Sequence, residues 1–390
     1  MKILLTSDWY IPAVNGVVTS VMNLKRGLEA RGHEVRILTL SGTRHSFEKE
    51  GVIYVGSVKA DAVYPGARLR VASKKNWFRR IMKWQPDIVH SNCEFSTFPL
   101  AQRISRELQI PLVHTYHTVY ENYTHYFSPS KVWGQRLVTI FSRRIAAKTD
   151  TLIAPTEKVK KLLQSYGIST PIYVLPTGID YEKFISADKA SHRIEIRKQL
   201  GIAPRQMVLV CVGRLAKEKN GVELIRMMAH FRGENICLLL VGDGPCRQEL
   251  KKQAEESGIE EQVVFTGMVP PEQVSHYYQA GDLFVSASTS ETQGLTYIEA
   301  LSSGLPILCR RDNSLQGVLL EDVNGWQYDS EMDFIQKVRN FMEHREQQEV
   351  LSTYALRTGE KFSIPAFAFH AEKIYQELLA QRRIQQEKSA

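Results

Sequence analysis

The chain is 390 residues long, with 43% hydrophobic and 24% charged residues and a net charge of +8. This length fits two domains of about 150–200 residues each, and the composition is that of a folded, soluble protein. Without a run of about 18 apolar residues, no transmembrane helix is predicted. A charge early in the amino-terminal segment argues against a secretory signal. Five cysteines without a C-x-x-C pair predict reduced thiols in a cytoplasmic protein, and no zinc site.

The first half of the chain alternates apolar, strand-like runs with helix-like segments. Strands are predicted at residues 3–6, 35–40, 52–55, 88–90, 112–116, 152–154 and 173–175, and helices at 17–30, 98–108 and 132–147. After the first strand, Gly16 begins a helix, and a glycine there lets backbone N–H groups approach an anion. The alternative is an ordinary strand-to-helix turn, which Gly16 taken alone favours. The turn lacks G-x-G-x-x-G, which argues against a nicotinamide-dependent oxidoreductase.

Basic residues are concentrated in this half, where residues 1–180 contain 25 Lys and Arg against 13 Asp and Glu. Two stretches, between Asp61 and Asp87 and between Glu121 and Asp150, have no acidic residue and mix basic with large apolar side chains. Such stretches bind an anionic membrane surface, or form ordinary amphipathic helices with inward-facing aromatics. Two in one half favour the membrane, and no nucleic-acid-binding module is recognisable. The predicted membrane contacts are Lys74, Lys75, Trp77, Arg79 and Arg80.

The second half repeats the strand and helix alternation. Strands are predicted at residues 207–212, 236–241, 263–266, 283–286 and 306–309. Two such runs predict an α/β protein with two doubly wound, Rossmann-like domains that face each other across a cleft. We expect an amino-terminal domain at residues 1–185, a carboxyl-terminal domain at 186–362, and a last helical segment at 363–390.

Cations follow the first strand of the second domain. Arg214 and Lys219 stand five residues apart around a turn, where a bidentate Arg and a compact Lys charge suit a diphosphate. The alternative is surface charge at a helix start, which gains nothing from the positive helix end unless an anion is present. After the next strand, Gly242-Asp243-Gly244-Pro245 resembles half of a glycine fingerprint, but Arg247 replaces its third glycine. This segment predicts a tight turn.

The segment from 288 to 306 contains two glutamates eight residues apart. Glu291 lies in a loop after a strand, and Glu299 lies within a helix that begins near Gly294. A carboxylate among apolar neighbours needs a partner, which a sugar or ribose diol, or a nearby Arg or Lys, supplies. The free N–H groups near Leu295 and Thr296 suit a phosphate.

These motifs resemble family 4 of the retaining glycosyltransferases, which have the GT-B fold. The resemblance rests on E-x7-E at Glu291 and Glu299, on V-G-R-L-x-x-E-K at 212–219, and on D-x-Y-x-P-x-x-N-G-V at 8–17. It implies that the nucleotide sugar binds mainly in the second domain and the acceptor in the first. It also implies that the last helix, at 365–381, returns to the first domain.

Site residues follow from the same resemblance. Arg214 and Lys219 would hold the diphosphate beside Gly16, and Glu299 the ribose hydroxyls. Glu291 would bind the donor sugar, with Gly294, Leu295 and Thr296 completing the donor site. The T-Y-H-T motif at 115–118 would place His117 beside the sugar and acceptor. The catalytic residues implied are His117, Arg214, Lys219 and Glu291.

The segment 115–127 and the residues before Gly294 resemble bacterial 1,2-diacylglycerol 3-alpha-glucosyltransferases. This likeness implies transfer of glucose from UDP-glucose to diacylglycerol by a peripheral protein at the inner face of the cell membrane. In retaining GT-B enzymes the departing UDP takes the acceptor's proton, and the lack of Asp-x-Asp predicts that no metal or other cofactor is needed. The alternatives are another acceptor, such as phosphatidylinositol or a glycosylated lipid, a GT-B UDP-sugar epimerase, and a non-catalytic binding protein.

Overall fold

The computed structural model of the protein describes residues 1–13, 15–60, 67–71, 76–121, 130–185 and 188–389. It divides into two compact units, one formed by Met1–Ile179 with Ile364–Ala390 and the other by Asp180–Ser363. Each unit has its own sheet and its own hydrophobic core. The prediction of two doubly wound α/β domains is confirmed.

The first unit is built on an eight-stranded sheet with the order β10-β9-β8-β7-β1-β2-β4-β3, parallel except for β3. Its strands are β1 (Lys2–Thr6), β2 (Glu34–Leu40), β3 (Phe47–Lys49), β4 (Val52–Val55), β7 (Ile88–Ser91), β8 (Leu112–Thr115), β9 (Thr151–Ala154) and β10 (Ile172–Val174), with a separate antiparallel pair, β5 (Ser57–Lys59) and β6 (Arg68–Arg70). The helices are α1 (Gly16–Ala30), α2 (Asn76–Trp84), α3 (Phe98–Leu108), α4 (Lys131–Ala146), α5 (Glu157–Ser165) and α13 (Ile364–Ser389).

The second unit contains a six-stranded parallel sheet with the order β13-β12-β11-β14-β15-β16. Its strands are β11 (Met207–Val212), β12 (Ile236–Val241), β13 (Val263–Gly267), β14 (Leu283–Ser286), β15 (Ile307–Arg310) and β16 (Gly325–Tyr328). The helices are α6 (Lys189–Gln199), α7 (Gly221–Met228), α8 (Arg247–Glu256), α9 (Val274–Ala280), α10 (Leu295–Ser302), α11 (Glu331–Glu343) and α12 (Gln348–Glu360).

The strands are apolar because helices cover both faces of each sheet. Strands β7, β8, β9, β12 and β14 are buried at every position. Helix α1 begins at Gly16 because the Asn15 side chain accepts a hydrogen bond from the Val18 amide at 3.0 Å. The strand order reverses between β1 and β7 in the first sheet and between β11 and β14 in the second. The carboxyl ends of those strands are where ligands bind in such sheets.

Helix α13 packs closely against α1 within the first unit. A Cβ atom on Gly27 of α1 would lie 2.7 Å from the Cβ of Ala368, so only glycine allows this approach. The Tyr375 hydroxyl lies 2.6 Å from His90 Nδ1, and Glu372 forms an ion pair with Arg31. The last helix of the chain is therefore an integral part of the first unit's core.

Candidate active site

The reversal point of the second sheet brings together the loops that follow β11 and β14. Lys219, in the turn after β11, forms an ion pair with Glu291, in the loop after β14, with Nζ 2.5 Å from Oε1. The hydroxyls of Ser288 and Ser290 both donate to the carbonyl oxygen of Glu218, at 3.4 and 3.2 Å. These bonds fasten one loop to the other, so two residues distant in sequence form one site.

Arg214 differs from Lys219 in having no carboxylate partner. Its side chain is exposed, and it makes no ion pair in the part of the chain that the structure describes. An exposed, unpaired guanidinium at the carboxyl end of β11 is free to bind an anion in a bidentate manner. Lys219, by contrast, already carries a compensating carboxylate.

Helix α10 begins beside these loops at Gly294, whose φ of 74° is in the left-handed region. A Cβ atom there would lie 2.4 Å from the Tyr297 ring, so the position requires glycine. As the first residues of the helix, Leu295 and Thr296 have N–H groups with no acceptor inside the helix. The helix therefore presents amide donors and the positive end of its dipole, as an anion site needs.

Glu299 lies one turn further along α10 and is partly buried. Its Oε2 accepts a hydrogen bond from the hydroxyl of Tyr278, at 2.8 Å, and no described residue bonds to its Oε1. Burial raises the pKa of Glu299, while the Tyr278 hydroxyl and the charge of Lys183 oppose that rise. The sequence offered an Arg or Lys as the alternative partner, but the structure supplies a tyrosine. One carboxylate oxygen remains available to a ligand.

The Gly-Asp-Gly-Pro turn serves packing between loops. A Cβ on Gly242 would lie 2.1 Å from the Gly213 carbonyl oxygen, and one on Gly244 would lie 2.3 Å from that of Leu215. The guanidinium of Arg247 pairs with Asp243 at 3.1 Å. These glycines therefore allow the loops after β11 and β12 to pack backbone against backbone, as a tight turn does.

The reversal point of the first sheet carries a different set of groups. His117 follows β8, and its Nε2 lies 3.0 Å from the Oδ1 of Asn92, which follows β7. Burial lowers the pKa of His117 to about 4, partly opposed by Glu94. Glu94 accepts a hydrogen bond from the Tyr120 hydroxyl at 2.6 Å. Near neutral pH this edge therefore presents a neutral imidazole next to a buried carboxylate.

Two further features frame this edge. Gly16 is exposed at the amino end of α1, as predicted from the sequence. The carboxylate of Asp8, at the end of β1, accepts hydrogen bonds from the amides of Ser96 and Thr97 at 2.9 and 2.6 Å, and burial raises its pKa. Asp8 thus orders the loop that carries Asn92 and Glu94.

The two basic stretches behave differently in the structure. In α2, Trp77, Phe78, Ile81 and Trp84 are buried, so Trp77 offers no ring to a membrane, and the expectation that it does is wrong. The same helix leaves Arg79 and Arg80 exposed, and Arg80 pairs with Glu48 at 2.9 Å. Lys74 and Lys75 lie outside the described residues. The periodic spacing of large apolar residues in α2 therefore reflects ordinary core packing.

Helix α4, in the second basic stretch, turns several large apolar residues outward, while Val138 and Ile145 are buried. Side-chain exposure is 63% for Trp133, 61% for Val132, 51% for Leu137 and 48% for Ile140. Residues 131–148 contain no acidic side chain. Across the described residues, no helix combines the length and apolar character needed to cross a membrane. Of the helices that the structure describes in this half of the chain, α4 is thus the one that presents an apolar face flanked by basic residues.

Comparison with known families agrees with this geometry. The profile described as Glycosyltransferase Family 4 matches residues 14–183, and that described as Glycosyl transferases group 1 matches residues 192–358. The chain belongs to glycosyltransferase family 4. The matched residues include His117 in the first half and Lys219, Glu291 and Glu299 in the second.

Two curated relatives are named alpha-monoglucosyldiacylglycerol synthase. The protein from Streptococcus pneumoniae is 36% identical over 85% of this chain and 76% of its own length. The protein from Acholeplasma laidlawii is 31% identical over 97% of this chain and 98% of its own length. The expected likeness to this group of family 4 is confirmed.

Solved structures show the GT-B fold. HepE from Anabaena, crystallised with UDP, superimposes with a TM-score of 0.74 at 17% identity, covering 97% of this chain and 100% of that one. A sucrose-phosphate synthase from Thermosynechococcus elongatus gives a TM-score of 0.75 at 19% identity, covering 97% of this chain and 99% of that one. At such identities the likeness establishes the shared architecture.

Within this family 4 chain, the structure brings Lys219 next to Glu291 and both close to Ser288 and Ser290. Sequence reasoning missed Tyr278, which hydrogen-bonds Glu299, and Asn92, which hydrogen-bonds His117. It also missed Glu94, whose charge raises the pKa of His117. The last two stand directly after a buried strand in Ser91-Asn92-Cys93-Glu94. Polar residues at a strand end were a usable signal. Tyr278 gave none, because it lies 21 residues before Glu299 in an unremarkable apolar helix.

Proposed function

We propose that this chain is a retaining glycosyltransferase that transfers glucose from UDP-glucose to diacylglycerol at the surface of an anionic membrane. The observation that carries the proposal is the grouping of Arg214, the Lys219–Glu291 pair and the amino end of α10 at the reversal point of the second sheet. A doubly charged leaving group needs cations and amide donors at one place. The names of two relatives support the lipid acceptor.

On the donor side, Arg214 and the amides of Leu295 and Thr296 hold the diphosphate. Lys219 moves part of its interaction from Glu291 to a phosphate oxygen, and Glu291 is then available to the hydroxyls of the sugar. Glu299 accepts hydrogen bonds from the ribose through Oε1, while Tyr278 holds Oε2. Each of these groups lies in the second unit, whereas Gly16, which the resemblance also implies beside the diphosphate, lies in the first.

The reaction follows from that arrangement. The acceptor's hydroxyl oxygen bonds to the anomeric carbon as the bond from that carbon to the β-phosphate oxygen breaks on the same face. The acceptor's proton passes to the departing phosphate, so no separate general base is needed. Negative charge grows on the β-phosphate in the transition state, where Arg214, Lys219 and the helix end interact with it more strongly than in the ground state.

The proposed chemistry needs no metal ion, because these cations and amides supply the charge. We therefore expect turnover in excess EDTA to match turnover with added Mg²⁺. A loss of activity in EDTA that added Mg²⁺ restores would contradict this part of the proposal.

On the acceptor side, we propose that α4 lies at the membrane surface. Its exposed residues Trp133, Leu137 and Ile140 enter the boundary between headgroups and acyl chains. Arg136 and Arg144 interact with anionic headgroups, at roughly 1 kcal/mol for each charge near the surface. Phe141 of the same helix stacks on Phe95 at a centroid distance of 5.9 Å, and so extends the apolar surface.

The test is an assay of purified protein with UDP-glucose and anionic vesicles that contain diacylglycerol. UDP release together with a new monohexosyl lipid is the expected result, and vesicles without diacylglycerol should give neither. A panel of UDP-galactose, GDP-mannose, phosphatidylinositol and a monoglycosylated lipid separates the alternatives. A product from another acceptor would place the chain elsewhere in family 4. Interconversion of UDP-sugars without lipid would indicate an epimerase.

A further inference from the structure

Among the residues that the structure describes, the side chain of Asn92 is the one that hydrogen-bonds the ring of His117. Asn92 is 2% exposed, and its backbone amide donates to the carbonyl oxygen of Thr6 at 2.8 Å. Its side-chain nitrogen Nδ2 donates to the carbonyl oxygen of His90 at 3.3 Å. Because a carbonyl oxygen only accepts, the amide nitrogen must face His90, and Oδ1 must face His117. Both ends of the Asn92 amide are therefore assigned.

The orientation of Asn92 determines where the proton of His117 lies. Oδ1 only accepts, so the Nε2 atom of His117, 3.0 Å away, must carry the hydrogen. Burial keeps the pKa of His117 near 4, so the ring is neutral at physiological pH and bears one proton. The second ring nitrogen, Nδ1, is then a bare acceptor. No residue that the structure describes forms a hydrogen bond with it.

The ionisable groups near His117 do not change the assignment of its proton to Nε2. The ionisable groups that face the ring are His90, His114 and Glu94. Glu94 raises and His114 lowers the pKa of His117, while His90 has both of its nitrogens within 2.6 Å of hydroxyls, those of Tyr375 and Thr115. Asn92 is thus the group in hydrogen-bond contact with the ring.

We propose that Asn92 is a positioning residue that fixes the Nε2–H tautomer of His117, so that Nδ1 accepts a hydrogen bond from a substrate hydroxyl. The inference rests on the proposed function only in taking the substrate to be a hydroxyl-bearing sugar or lipid. The hydroxyl comes either from the transferred sugar or from the acceptor. A ring with the other tautomer would carry a hydrogen on Nδ1, and that nitrogen could then donate a hydrogen bond but not accept one from a hydroxyl.

Nuclear magnetic resonance of protein labelled with ¹⁵N-histidine tests the tautomer without any turnover. Long-range proton–nitrogen correlations of the wild-type protein should show His117 protonated at Nε2 and bare at Nδ1 from pH 6 to pH 8. Assignment uses the signal lost in His117→Gln. A ring protonated at Nδ1 would overturn the proposal, whatever the assay of the proposed function shows.

Ligand additions separate the two sources of the hydroxyl. A shift of the Nδ1 resonance on adding UDP-glucose alone assigns the hydroxyl to the donor sugar. A shift only on adding a short-chain diacylglycerol assigns it to the acceptor, and UDP is the control for the nucleotide. If neither ligand moves the resonance although UDP-glucose is shown to bind and is turned over, the substrate half of the proposal is wrong.

Two substitutions of Asn92 distinguish positioning from a structural role. Asn92→Leu removes the acceptor for Nε2–H, and we expect mixed tautomers and about tenfold lower kcat/KM, the value of one misdirected hydrogen bond. Asn92→Asp keeps an acceptor but adds negative charge, which raises the pKa of His117. At pH 8 the Asn92→Asp variant should be more active than the Asn92→Leu variant. As the pH is lowered, it should lose activity at a higher pH than the wild type does. Unchanged tautomer and kinetics in Asn92→Leu, or the same pH profile in both variants, would contradict the role.

Discussion

The two reversal points of this protein have the same topology but opposite chemistry. In the second unit the strand ends carry charges, with Arg214 exposed and Lys219 paired with Glu291. In the first unit they carry mostly neutral hydrogen-bonding groups, His117 and Asn92, with Glu94 buried beneath them. Under the proposed function, the strand ends of the second sheet bind an anion and those of the first accept a hydroxyl. The residue types at the strand ends decide the ligand, and the sheet decides only its place.

The largest expected effect comes from removing a positive charge at the reversal point of the second sheet. Lys219→Ala removes the cation that meets the growing charge on the β-phosphate, and turnover should fall by roughly 10²-fold or more. The matched control is Lys217→Ala, because Lys217 is an exposed lysine of the same turn with no ion pair to Glu291. Steady-state UDP release measures both. Near-normal turnover in Lys219→Ala would remove Lys219 from the catalytic machinery.

The next effect sharpens the contrast between the two basic helices. Replacing Trp133 and Leu137 of α4 by serine removes exposed apolar surface, and we expect vesicle affinity to fall roughly 30-fold, equivalent to about 2 kcal/mol. The control is Ile194→Ser in the second unit, a residue with 68% exposure. Co-sedimentation with anionic vesicles provides the measurement. If neutralising Arg79 and Arg80 of α2 weakens binding more than the α4 change does, the proposed membrane face is wrong.

A smaller effect concerns the carboxylate that we assign to the ribose. Tyr278→Phe removes the hydroxyl that donates to Glu299, so the carboxylate becomes less well oriented and easier to protonate. The KM for the sugar nucleotide should rise about tenfold, as expected from losing a hydrogen bond to a charged group, with a smaller change in kcat. Tyr277→Phe, which alters the neighbouring tyrosine, is the control. Equal kinetics in the two variants would separate Tyr278 from donor binding.

The smallest expected effect concerns the neutral His117 in the first unit, and it is a change in how thermal stability depends on pH. Burial lowers the pKa of His90 to about 3 and that of His117 to about 4, against about 6.5 in the unfolded chain. Between pH 6.5 and pH 4 the unfolded state therefore binds more protons, and stability falls as the pH falls. Each kcal/mol lost should lower the Tm by about 2–4 °C. His117→Gln should flatten the plot of Tm against pH, whereas the surface variant His344→Gln should not. Parallel plots for all three proteins would contradict the neutral state of His117.

Much of the fold was predictable because parallel strands covered on both faces are continuous apolar runs. The predicted strands agree with β1, β2, β4 and β7–β15. The short β3, β5 and β6 were missed because each contains a single apolar residue, and β16 was missed because Gly325 and Gln327 interrupt its apolar pattern. Local patterns of this kind report burial well and say little about short edge strands.

Glu291 was predictable because it follows a strand end, and Glu299 because it is a carboxylate among apolar neighbours. Their pairing with Lys219 and Tyr278 was not, because it depends on tertiary contacts between loops and helices. The sequence also did not determine which face of an amphipathic helix is buried. Helices α2 and α4 both mix basic and aromatic residues, yet Trp77 is buried and Trp133 is exposed. That difference is set by the neighbouring elements, since periodicity alone defines two faces without saying which one packs.

The measurement that tests the central claim most directly is the structure of the reaction product. Purified protein is incubated with UDP-α-glucose labelled at the anomeric carbon and with anionic vesicles containing diacylglycerol, and the lipid fraction is analysed by mass spectrometry and NMR. The account predicts one glucose in α linkage to the free hydroxyl of diacylglycerol, with UDP released in equal amount. A β linkage would contradict retention. No glycolipid from folded, UDP-binding protein would contradict the proposed acceptor.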